Sequence, residues 1–84
     1  MVIFVITREG YLELESIIKT TKYPVWVSAG VLSSGELAQL REEGVFLTNF
    51  AYSIEPNDIV TINSALESIS LHHPGHRVWL ECTP

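Results

Sequence analysis

The chain has 84 residues, 46% of them hydrophobic and 18% charged, with a formal charge of −5 and a single cysteine. That length makes one domain, residues 1–84, near the size at which a lone core only just suffices, and the apolar content excludes disorder. The apolar runs are too interrupted for the roughly 20 residues of a membrane span, one cysteine excludes an internal disulfide, and the charge disfavours nucleic acid or an anionic membrane as partner.

"VIFVIT", Val2 to Thr7, is a β-branched and aromatic run without alternation, as a strand buried on both faces reads, and it is the candidate central strand. Arg8 follows it directly, leaving no apolar core of a secretory signal, so a cytoplasmic location is expected. Tyr11, Leu14, Ile17 and Ile18 then fall at helical spacing, and Glu15 and Lys19 stand four apart in the favourable order, which predicts a helix from about Glu9 to Thr21. Pro24 breaks it and opens a strand, "VWVSA", at Val25 to Ala29.

In "SSGELAQLREEG", Ser33 and Glu36 have capping-box spacing, Leu37 and Leu40 form the inward stripe, and Gly44 ends the helix. "VFLTNF", Val45 to Phe50, reads as a third buried strand. Ile59, Ile62, Leu66 and Ile69 repeat at three and four, giving a helix from about Asn57 to His72 that stops before Pro74. "RVWLE", Arg77 to Glu81, alternates charged and apolar residues as an edge strand does.

The pattern is βαβαβαβ, a small α/β fold: a four-stranded parallel sheet with three helices and right-handed crossovers. With the first strand central, the expected order is 2-1-3-4, with the first helix on one face and the other two opposite. One face is then half covered and the last strand offers a bare edge, so a homodimer is expected.

"LHHPGHRVWLEC", Leu71 to Cys82, gathers three histidines, an acid and the cysteine, which raises a metal site as a question. His72 and His73 diverge on a helix and the Pro74–Gly75 turn separates His76, so no preset zinc spacing exists; the reading is a helix stop, with no metal and no cofactor. "GVLSSGEL", Gly30 to Leu37, has the glycine spacing of a phosphate loop, but Glu36 and Leu37 stand where Lys and Ser or Thr are needed. No nucleophile elbow occurs, and Ser28, Ser33 and Ser34 are expected at the opposite edge from the histidines. Of the aromatic residues, Trp26 and Phe46 read as core, Tyr52 and Trp79 as surface.

A parallel sheet starts every helix at its carboxyl edge, where open α/β proteins bind ligands, and each start here carries acid: Glu9, Glu36, then Glu55 with Asp58. The five cations, Arg8, Lys19, Lys22, Arg41 and Arg77, are scattered. The expected function is therefore a non-enzymatic interaction or regulatory module that meets a basic protein partner through Glu9, Glu36, Tyr52, Glu55 and Asp58. The alternative is a small-ligand sensor or enzyme using Arg8, Ser28, Ser33, Ser34 and Asn49 at the same edge. A pocket containing Arg8 favours the second, a flat acidic edge the first.

Overall fold

A computed structural model describes residues 1–82. Seven elements alternate along them: β1 (Val2–Val5), α1 (Arg8–Thr21), β2 (Val25–Val27), α2 (Ser34–Glu42), β3 (Leu47–Asn49), α3 (Ile59–His72) and β4 (Val78–Glu81). All strands are parallel, with β1 internal beside β2. Beyond that pair, β3 lies outside β2 and β4 pairs with β1, so the order runs 3-2-1-4 where the sequence suggests 2-1-3-4. Among the described residues, no helix is long and apolar enough to cross a membrane.

The order fixes which face each helix covers. Right-handed crossovers that step outward from β1 to β2 to β3 leave α1 and α2 on one face, and the return from β3 to β4 carries α3 across the other. The two core clusters follow this division. Ile3, Val5, Val25, Val27 and Leu47 pack against Tyr11, Leu14 and Ile18 of α1 and Leu40 of α2. Val2, Phe4, Ile6 and Trp26 pack against Ile62, Ala65 and Ile69 of α3, with Phe50 and Ile54 from the connection before it. Thus α2 joins α1, rather than α3 as expected from the sequence, and the half-covered face is the one that α3 crosses.

That face explains two departures in burial. β3 is an edge strand, and α3 lies over β1 and β2, so only the inward residues Val45 and Leu47 are buried; Phe46, expected in the core, is 63% exposed. Ile59, expected in the buried stripe of α3, is the first helical residue and is exposed, while Ala65 takes an inward position. Trp26 is buried as expected, between Phe50 and the rings of His72 and His73, and its indole N–H has no hydrogen-bond acceptor.

The histidine segment behaves as a helix stop. The His73 amide donates to the Ile69 carbonyl at 2.8 Å, Gly75 takes φ 77°, and the His76 amide donates back to the His73 carbonyl. Among the described residues, no group of three or more His, Cys, Asp or Glu is arranged to hold a metal ion.

Candidate functional site at the carboxyl edge

The segments after β1 and β2 lead to α1 and α2 on one face of the sheet, the segment after β3 leads to α3 on the other, and a crevice opens between them at the carboxyl ends of β1 and β2. The cleft has a volume of about 460 Å³ and is lined by Ile6–Glu9 after β1, Ser28–Val31 after β2 and Ser53–Pro56 before α3. A second hollow, lined by Glu55, Pro56, Asn57 and Cys82, adjoins it beyond the Glu55–Pro56 ridge.

The first wall forms because Thr7, in extended conformation, caps α1: its Oγ1 accepts from the Gly10 amide at 3.0 Å. Gly10 is buried, and a Cβ there would come within 2.7 Å of Glu81 Cγ, so the end of β4 packs directly on the first turn of α1. Arg8, the first residue of α1, turns toward α2. Its Nη1 donates to the Val31 carbonyl at 3.0 Å and to Glu36 Oε1 at 2.8 Å, and Nη2 donates to Glu36 Oε2 at 2.8 Å. The guanidinium also lies 5.4 Å from the centre of the Tyr11 ring. Burial, followed by the hydrogen bond to Glu15, pushes the Tyr11 hydroxyl up to about 12.

Glu36 is occupied twice over. Besides Arg8, its Oε1 accepts from the Ser33 amide at 2.9 Å while Ser33 Oγ accepts from the Glu36 amide at 3.2 Å, which completes the capping box. The Arg8 hydrogen bonds, and then the Ser33 amide, pull its carboxyl from 4.5 down to about 2. A depressed value in the folded state means that the stabilisation is fully present above 4.5 and disappears as pH falls through about 2. The side-chain carbonyl of Glu36, followed by NMR, is therefore expected to titrate near 2, and Arg8→Ala is expected to return it toward the ordinary carboxylate range. A wild-type midpoint at or above 4.5 would show that the pair does not hold in solution.

The second and third walls are stitched together by Ser28, 2% exposed and the one buried polar side chain among the described residues. Its Oγ accepts from the Ile54 amide at 2.7 Å and donates to the Ala29 carbonyl at 3.4 Å. The Ala29 amide donates to the Tyr52 carbonyl, and Ser53 Oγ donates to the Ala29 carbonyl. Gly30 follows with φ 87°, the left-handed conformation that turns the chain away toward α2.

Of the residues anticipated for a small ligand, Arg8 and Ser28 line the cleft; Ser33, Ser34 and Asn49 lie outside its lining, at the start of α2 and the end of β3. Of those anticipated for a basic partner, Glu9 and Glu55 line the cleft and are exposed. Glu36 is held by Arg8. Asp58 is the N-cap of α3, and its carboxylate accepts from the Thr61 amide and hydroxyl, which hold it below its ordinary value. Tyr52 is exposed, its ring tilted against Phe50 at 5.4 Å. Thr7 and Ser53 line the cleft without having been singled out; a Thr ahead of a helical stripe is a legible cap signal, whereas nothing local marks Ser53.

No protein-family model, curated protein or solved structure matches the chain.

Proposed function

We propose that the chain is a non-catalytic binding module whose cleft receives a positively charged group from a basic protein partner. The observation that carries this reading is the Arg8–Glu36 pair. Among the described residues, Arg8 is the one cation in the lining, and it is neutralised by a carboxylate from outside it, which leaves Glu9 and Glu55 as the uncompensated charges there. An anionic ligand would meet repulsion there, while a lysine or arginine side chain would gain attraction and faster encounter. On this reading the module works in the cytoplasm as a homodimer.

The cleft's size, within the range of small-molecule sites, favours a second reading in which a small cationic or neutral polar ligand occupies the same place. NMR titration with an arginine-rich peptide, with free arginine and with inorganic phosphate separates these readings. We expect the peptide to shift amides of Ile6–Glu9, Ser28–Val31 and Ser53–Pro56, and Glu9→Gln with Glu55→Gln to weaken it by roughly three- to tenfold. Free arginine binding as tightly as the peptide would favour the small ligand. Phosphate shifting those amides while the peptide does not would overturn both.

A further inference from the structure

We propose that the free edge of β4 pairs antiparallel with β4 of a second copy about a two-fold axis through Trp79, joining two sheets into one. The inference is independent of the cleft and follows from where the backbone groups of β4 point. The Val2 amide donates to the Arg77 carbonyl at 2.7 Å and the Ile6 amide to the Glu81 carbonyl at 3.1 Å. Residues alternate along a strand, so Arg77, Trp79 and Glu81 spend their backbone groups on β1, and those of Val78 and Leu80 face outward. The other edge is partly occupied. There the outward carbonyl of Leu47 in β3 accepts from Arg41 Nη2 at 3.1 Å, while among the described residues no side chain bonds the backbone of Val78 or Leu80.

Symmetry then selects the register. A two-fold axis perpendicular to a sheet keeps each side chain on its own face, so it passes through a residue and never between two. An axis at Trp79 sets Val78 opposite Leu80 of the partner subunit and reciprocally, which makes these the hydrogen-bonded pairs and Trp79 a close non-hydrogen-bonded pair with its symmetry mate. It also sets Arg77 opposite Glu81 of the partner subunit on both sides of the axis. Shifting the axis to Val78 or Leu80 sets one of those charges opposite Trp79 instead. Neither Arg77 nor Glu81 has an ion-pair partner within the chain among the described residues.

The side chains suit such a seam on both faces. Trp79 and Leu80 are each 37% exposed, large apolar groups on an open edge. Ile3 is the register partner of Trp79, which places Trp79 on the face of α1 and α2, yet the core cluster of that face includes no β4 residue. Glu81 meets the first turn of α1 at Gly10, while Trp79 stays 37% exposed. Opposite charges at the two ends and apolar residues between them describe a self-complementary edge, and a second copy of the chain supplies that complement.

Sedimentation equilibrium of the intact chain over a micromolar concentration series tests this, with circular dichroism confirming that each variant is folded. Leu80→Pro removes an amide that points away from β1, so the monomer keeps its own ladder while the seam loses reciprocal bonds. Arg77→Glu sets like charges opposite each other, and Arg77→Glu combined with Glu81→Arg restores opposite ones. We expect a wild-type dimer, a dissociation constant raised roughly tenfold or more by either single change, and recovery in the charge-swapped pair. If Leu80→Pro does not fold, the charge series decides alone. A monomeric wild type, a dimer indifferent to Arg77→Glu, or no recovery in the swap would overturn the proposal.

Discussion

Replacing Phe4 with Ala is expected to destabilise the protein by about 3–5 kcal/mol, the largest effect of any single truncation proposed for it. Phe4 is fully buried in β1, which is hydrogen-bonded on both sides, by β2 and β4. Its ring lies 5.6 Å from that of Phe50, and Phe50 in turn lies 5.3 Å from Trp26, so the three rings anchor the β3–α3 connection onto the sheet. A strand held from both sides cannot shift to fill the void, which puts the loss toward the upper end. For 84 residues the whole folding free energy is about 4–13 kcal/mol, so the variant sits close to unfolding at room temperature. Urea denaturation measures this directly. A loss under about 1 kcal/mol would mean that the Phe4 site collapses freely and that the ring anchor is unimportant.

Ser28→Ala is expected to cost about 1–3 kcal/mol, because it leaves the Ile54 amide with no acceptor in a buried position. The change removes one oxygen and creates almost no cavity, so the loss reports the hydrogen bond rather than packing. Its consequence is local as well as global: Ile54 belongs to the cleft wall, and hydrogen exchange at its amide should accelerate well beyond that at Val5 or Val27. Peptide binding to the cleft should weaken in parallel, because the wall is no longer fixed before the ligand arrives. Unchanged stability together with unchanged exchange at Ile54 would show that the Ser28 bond is not formed in solution.

The parts of this architecture that were legible in the sequence are those written locally. The all-apolar run of β1, the capping box at Ser33 and Glu36, the Pro24 break and the alternation of β4 each act within a few residues, and each element lies close to where its signal falls. α3 begins two residues later than its periodicity suggests: Asp58 is its N-cap, accepting from the Thr61 amide and hydroxyl, and Ile59 is left in solvent. Strand order is different. It depends on which nonlocal pairs bury most surface, and the crossover lengths admit both orders.

The site inherits that indeterminacy. Arg8 and Glu36 stand 28 residues apart and meet because α1 and α2 share a face. In the order 2-1-3-4 the sheet would separate them. Arg8 would then remain a free cation at the carboxyl edge and Glu36 a free acid, so one topological choice changes the charge the cleft shows to a ligand. Ser28 could be picked out as a residue at the end of a strand, but its role in pinning Ile54 depends on a loop whose course only the third dimension reveals.

The pairing of β1 with β4 has a consequence for how the protein emerges from a ribosome. The first strand made receives its second neighbour from the last, across the register that sets Val2 beside Val78. Until α3 and β4 have left the exit tunnel, a nascent chain can assemble β1, β2 and β3 with α1 and α2, yet Val2, Phe4 and Trp26 remain bare on the opposite face. That intermediate exposes an apolar surface together with an open central edge, the combination that favours association between neighbouring nascent chains. Closing the loop costs more with chain separation and is rewarded only at the end, so the late segment acts as a latch on a nearly complete fold.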